Sequence, residues 1–253
     1  MIFKKNTSSI YGVHPLIEAI RSGKTIDKLF VQKGLRGPNY QEILKLVKKH
    51  NIPIHWVPTE RLNHLTRKNH QGVFAFLSPI DFHRIRDLLP SLYEQGKIPL
   101  LLILDRITDV GNFGAIVRTA ACTGVDAVII PMKHAAPISA DTIKASAGAL
   151  FKVPICKEND LKKSYEFLKT SGIRILAATE KAEHFTYTED FTIPTAIILG
   201  SEQDGLSVDC LRLSDQKLKL PMYGDISSLN VSVACGMILY EALRQRLLRH
   251  TDK

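Results

Sequence analysis

No run of this 253-residue sequence approaches the ~20 consecutive apolar residues needed to cross a bilayer. The opening residues, Met1-Ile2-Phe3-Lys4-Lys5-Asn6, hold no apolar stretch of signal-peptide length. A cytoplasmic protein with no membrane partner is expected. Cysteine is scarce: Cys122, Cys156, Cys210 and Cys235 are scattered, with no Cys-x-x-Cys pair and no nearby histidine. They are expected to be small buried hydrophobes in a reducing compartment, neither bridges nor metal ligands, so no metal is expected. Internal repeats and low-complexity tracts are missing. So is a Gly-x-Gly-x-x-Gly fingerprint. The loop Gly200-Ser201-Glu202-Gln203-Asp204-Gly205 carries two carboxylates that a nucleotide phosphate would avoid, which argues against a dinucleotide enzyme.

Acidic residues are few in the first third. Residues 1–78 contain 13 Lys or Arg against 4 Asp or Glu, whereas residues 79–253 contain 21 of each. The whole net charge of +9 therefore belongs to one module, which points to a polyanion partner. Lys45, Lys48, Lys49, Arg67 and Lys68 are the expected phosphate contacts. Aromatic residues are sparse there and partly embedded in strands, so no base-stacking platform is expected. Charge alone carries no sequence specificity.

Apolar content of 45% is ordinary for a globular chain. The first module alternates helices (14–21, 40–50, 60–65) with strands (28–31, 52–57, 72–77), which implies a small α/β sandwich over 1–78. Pro79, Pro90, Gly96 and Pro99 punctuate a joint over 79–98 that contains a charged helical piece at 84–89. Alternation restarts in 99–253 with apolar strands at 100–104, 127–130, 173–178, 195–199 and 216–220. Such nearly continuous apolar runs fit parallel strands buried on both faces.

Three segments stand out in this second part. The first is Leu104-Asp105-Arg106-Ile107-Thr108-Asp109-Val110-Gly111-Asn112-Phe113-Gly114-Ala115-Ile116-Val117-Arg118-Thr119-Ala120. The second is Ile198-Leu199-Gly200-Ser201-Glu202-Gln203-Asp204-Gly205-Leu206. The third, Ser227-Ser228-Leu229-Asn230-Val231-Ser232-Val233-Ala234, runs from a small-residue loop into an apolar helix that Asn230 or Ser228 can cap. Arg118 lies in an otherwise apolar helix. A guanidinium is out of place there unless it is paired with Asp105 or Asp109, or faces a ligand. Leu220 and Leu229 read equally well as core. The segment Ser146-Ala147-Gly148-Ala149-Leu150 reads as close helix packing.

In this order the three segments resemble the motifs of the SpoU/TrmH family, S-adenosylmethionine-dependent RNA ribose 2′-O-methyltransferases with the knotted SPOUT fold. Tyr11-Gly12-Val13-His14-Pro15-Leu16 and His70-Gln71-Gly72-Val73 are similar to the N-terminal domain of the RlmB-type branch, which acts on a guanosine of 23S ribosomal RNA. One departure is Val110, where the family usually has proline. The resemblance implies an L30e-like RNA-binding domain before a trefoil-knotted parallel-sheet domain. It implies Gly200, Leu220 and Leu229 around the adenosine of S-adenosylmethionine, with Thr179, Ile226 and Ser228 at the rim. It places Arg118 near the target phosphate and ribose with Asn112 as its partner, and gives Glu202, Ser232 and Asn230 family positions at the site. It further implies a homodimer built on the last helix, 231–248, with ribosomal RNA or a large-subunit assembly particle as partner. Transfer RNA as substrate, or a non-catalytic ribosome-assembly role, stays open on these residues alone.

Overall fold

The computed structural model of the chain describes residues 9–251, apart from 51, 202, 226 and 227. The main division between its two compact units falls after Asp81. The first unit runs β1 (Ser9–Tyr11), α1 (Val13–Arg21), β2 (Ile26–Gln32), α2 (Pro38–His50), β3 (Ile54–Val57), α3 (Thr59–Leu65) and β4 (Val73–Leu77). Its four strands lie in the order β1-β4-β2-β3. Side chains alternate across this sheet, as the two-residue strand period requires. Leu29, Val31, Val73 and Ala75 pack with Leu16, Ile17 and Ile20 of α1 and Ile43 and Val47 of α2. Phe30, Phe74 and Phe76 point the other way and pack with Leu62 of α3. The expected α/β sandwich is present, with β1 as a strand that its short Ser-Ile-Tyr sequence did not announce.

The second unit contains β5 (Phe82–His83), α4 (Ile85–Glu94), β6 (Leu100–Leu104), α5 (Val110–Cys122), β7 (Ala127–Pro131), α6 (Ala140–Ala145), β8 (Ile155–Glu158), α7 (Leu161–Thr170), β9 (Arg174–Ala178), β10 (His184–Phe185), β11 (Thr195–Leu199), α8 (Val208–Leu213), β12 (Gln216–Lys219) and α9 (Val231–Thr251). Its eight strands follow the order β10-β12-β9-β11-β6-β7-β8-β5, and every neighbouring pair is parallel. All five residues of β6 are buried, and each large side chain hidden from water contributes roughly 1.5–3 kcal/mol.

The helical piece expected at 84–89 is present and longer, 85–94, and its Ile85, Leu89 and Leu92 belong to the second unit's core. The strand β8 was not expected, because its sequence Ile-Cys-Lys-Glu is half polar. Both charged residues are nevertheless buried. Glu158 accepts a hydrogen bond from the Ile85 backbone N–H at 2.9 Å, and the Lys157 ammonium lies 4.4 Å from the centre of the Phe82 ring. Among the cysteines, Cys156, Cys210 and Cys235 are buried as expected, but Cys122 is exposed at the end of α5. No described helix is long and apolar enough to cross a membrane.

Candidate functional site

The sheet brings two of the three motifs together at the C-terminal ends of its two central strands. β6 and β11 pair in register, Leu104 opposite Leu199, so Asp105 and Gly200 leave adjacent strands at the same level. The Asp105 N–H donates to the Leu199 carbonyl at 2.8 Å and extends the ladder by one bond. After β6 the chain builds outward through β7 and β8, whereas β9, β11 and β12 lie on its other side. This is a topological switch point, and in parallel α/β sheets the crevice beyond the strand ends at such a point receives ligands. Thr179 and Leu220 follow the neighbouring strands β9 and β12, which are also parallel and in contact.

Buried polar bonds fix the loop of the second motif. Asp105, 4% exposed, accepts from the Ser207 N–H at 2.7 Å and from Arg106 Nε at 3.4 Å. A buried carboxylate must be compensated in this way. Ser207 caps α8 and its hydroxyl also reaches Cys210 Sγ at 3.0 Å, as does the Tyr165 hydroxyl. Burial pushes both the Tyr165 phenol and the Cys210 thiol above their usual ranges, so both stay protonated. Ser201 and Gly205 exchange backbone hydrogen bonds of 3.1 and 2.9 Å, folding 200–206 back on itself. Gly200 is required by this fold: a Cβ there would stand 2.4 Å from the Gly205 carbonyl carbon.

Two helix N-termini meet at the third motif. Asp109 caps α5 by accepting from the Asn112 N–H at 2.7 Å. Asn230 caps α9, its Oδ1 accepting from the Ser232 N–H at 2.9 Å and the Ser232 hydroxyl at 2.6 Å. The Asn230 side-chain amide then donates to Asn112 Oδ1 at 3.0 Å. α5 also packs very tightly against the end of α6, where a Cβ on Gly114 would lie 2.4 Å from Ala145 Cβ and 2.9 Å from the Ser146 nitrogen. Of the segment 146–150 read as close packing, Ser146 meets α5, whereas Gly148 has open space around it and a left-handed backbone, φ +80°. Arg118 is exposed on α5, and among the described residues its guanidinium makes no ion pair or hydrogen bond. Neither acid suggested as its partner is used that way. Asp105 holds Arg106 and Ser207, and Asp109 is a helix cap. Asn112 binds Asn230, not Arg118.

Of the residues expected to hold a cofactor, Thr179, Gly200, Leu220 and Leu229 are half-buried and Ser228 is exposed. Ile226 and Glu202 lie outside the described residues. The half-buried leucines and strand-end backbone suit a flat apolar base. The exposed Asp204 is already paired with Arg106, at 3.2 Å. The five basic residues of the first unit do not form one patch. Lys45, Lys48 and Lys49 are exposed on α2, while Arg67 and Lys68 follow α3 on the opposite layer, with the Lys68 ammonium 5.4 Å from the Tyr11 ring centre. Sequence reasoning gave Arg106 no role. The signals available were a lone cation beside a carboxylate and its place between two motifs.

A parallel sheet with the motif loops gathered at its switch point defines the second unit as an α/β ligand-binding fold. The profile of the SpoU rRNA methylase family matches residues 99–240, and that of the RNA 2′-O ribose methyltransferase substrate-binding domain matches residues 9–83. The chain therefore belongs to the SpoU/TrmH family of RNA methyltransferases. A protein of Staphylococcus haemolyticus assigned to the TrmH tRNA/rRNA methyltransferases is 35% identical over 94% of this chain and 95% of its own length. The SpoU methyltransferase AviRb of Streptomyces viridochromogenes, solved with its cofactor AdoMet, superimposes with a TM-score of 0.62 at 25% identity over 96% of this chain and 92% of its own. The TrmH/SpoU tRNA modifying enzyme of A. aeolicus gives a TM-score of 0.56 at 31% identity over 65% of this chain and 86% of its own. The fold is that of the SPOUT methyltransferases.

Proposed function

We propose that this protein transfers a methyl group from S-adenosylmethionine to a ribose 2′-hydroxyl of RNA, at a guanosine of 23S ribosomal RNA, in the cytoplasm and as a homodimer. The observation that carries the reading is the convergence of the three motifs at the β6/β11 switch point, with Asn112 and Asn230 bonded at its edge. When bound, S-adenosylmethionine supplies an electrophilic methyl group on a positively charged sulfur. Leu220 and Leu229 offer the adenine apolar walls, Thr179 and Ser228 offer hydroxyls at the rim, and Gly200 keeps the loop close to the strand end. Glu202, Ile226 and Ser232 are assigned to the same site by their motif positions.

Arg118 is exposed and carries no partner among the described residues. A guanidinium stays charged at neutral pH and is a poor base. Its role is to orient the RNA phosphate and stabilise charge developing on the 2′-oxygen, while phosphate or water takes the proton. Asn112 and Asn230 position this end of the site. The basic first unit supplies RNA affinity, and we assign the contact to α2. Three exposed lysines share that helix.

Ribosomal RNA is preferred over transfer RNA because the tRNA modifying enzyme matches 65% of this chain, too little to span both units. The dimer is supported by exposed Val233, Met237 and Tyr240, which recur at helical spacing along α9. Mapping ribose methylation in ribosomal RNA from a strain lacking the protein tests the assignment. One guanosine should lose its methyl group and regain it on complementation, and an unchanged ribosomal RNA map would refute the target.

A further inference from the structure

Arg106 has an unusual backbone. Its φ is +61°, in the left-handed region that side chains other than glycine's seldom adopt. Such a conformation persists only where the surroundings hold it. All three guanidinium nitrogens are engaged, each with a different partner. Nε donates to Asp105 of its own loop at 3.4 Å, Nη1 to Asp204 at 3.2 Å and Nη2 to the Gly205 carbonyl at 3.1 Å. The last two partners lie in the second motif, about a hundred residues away in sequence. The Asp204 contact is weak support alone, because that carboxylate is 68% exposed and screened by water. The other two partners are better shielded: Asp105 is buried, and Gly205 closes the 200–206 loop by its paired bonds to Ser201. A planar fork with donors in fixed directions can reach three acceptors at once, whereas a lysine cannot.

We propose that Arg106 is a positioning residue that clasps the 200–206 loop to the end of β6. It acts through Gly205 and Asp204, not on the reacting atoms. The left-handed backbone aims the side chain across from β6 to β11, so the first and second motifs hold one geometry. Resting on the function proposed above, the clasp preorganises the loop at Gly200 for S-adenosylmethionine.

The test compares Arg106→Gly with Arg106→Lys in the full chain. Glycine accepts the positive φ and removes the fork without new strain; lysine keeps the charge and loses the geometry. Amide hydrogen exchange reads the loop directly, at Ser201, Gly205 and Ser207. In both variants exchange there should quicken by ~10-fold or more while the β7 amides stay unchanged. Calorimetry with S-adenosylmethionine should show affinity weakened ~10-fold, with turnover at saturating cofactor within ~3-fold of wild type. Unchanged exchange overturns the clasp. Quickened exchange with unchanged cofactor affinity overturns its positioning role. If the wild-type protein binds no S-adenosylmethionine, the proposed function fails, and the exchange data still decide the clasp.

Discussion

The side-chain amide of Asn230 donates to Asn112 Oδ1 across 118 positions of sequence, at 3.0 Å. The same residue caps α9 through its other polar atom. One asparagine thus both starts a helix and ties it to the first turn of α5. Replacing it separates the two duties. Asn230→Ala should cost ~1 kcal/mol for the cap and a further ~1 kcal/mol for the lost bond. Asn230→Ser keeps a capping oxygen and should lose only the second part. In an Asn112→Ala background the serine variant should then cost less than it does in the wild type. Urea unfolding of the four proteins measures this, and a full additive cost in the double variant would deny the coupling.

Arg118→Ala should leave thermal unfolding unchanged, because an exposed side chain without a described partner holds nothing in place. Turnover should fall ~100-fold or more while S-adenosylmethionine affinity stays near wild type. A parallel loss of cofactor affinity would mean that Arg118 shapes the pocket instead.

The two basic groups of the first unit lie on opposite layers of its sandwich, so their contributions can be told apart. Lys45, Lys48 and Lys49 changed together to alanine should weaken RNA binding and reduce its salt slope by about one per lost contact. Arg67 and Lys68 changed to alanine should have a smaller effect. The reverse ranking would move the RNA to the α3 layer.

Thiol reactivity should follow burial. Burial is the main cause that pushes Cys156 and Cys235 up to about 12, and it raises Cys210 as well. A raised thiol pKa leaves almost no thiolate at neutral pH, and the thiolate is the reactive form. In the folded protein a disulfide reagent at pH 8 should therefore modify Cys122 alone, with the other three cysteines reacting only after denaturation. Peptide mapping of the product identifies the site; early labelling of Cys156 or Cys235 would contradict the packing.

Val233, Met237 and Tyr240 are 51, 46 and 66% exposed on α9. Met237→Glu with Tyr240→Glu should convert a dimer to an inactive monomer in sedimentation experiments. Mixing Arg118→Ala with Leu229→Arg subunits should restore activity if each site borrows from its partner. A fully active wild-type monomer of ~28 kDa would end the dimer proposal.

What the sequence disclosed follows from physical contrast. The strands β6, β7 and β11 were legible because burial on both faces demands unbroken apolar runs. β8 was hidden because its buried Lys157 and Glu158 are compensated by a ring and a backbone N–H that lie far away in sequence. The three motif loops were legible as motifs, but their bonds were not. Nothing local in Arg106 announces a partner at Gly205, and nothing local in Asn230 announces Asn112. Arg118 could be flagged as misplaced in an apolar helix; that neither Asp105 nor Asp109 neutralises it depends on tertiary geometry.

The strand order carries a consequence for how the site comes into being. Among the described residues β10 pairs with β12 alone, and β12 reaches the rest of the sheet through β9. Residues 184–185 therefore wait for residues 216–219, and the Asn112 clamp waits for the start of α9. On a ribosome, the half of the sheet built from β6, β7 and β8 can close while the flank of β9, β11 and β12 is still being translated. Because strand pairings between distant residues must meet their loop-closure entropy before they stabilise anything, that flank is the slower half of the sheet to form.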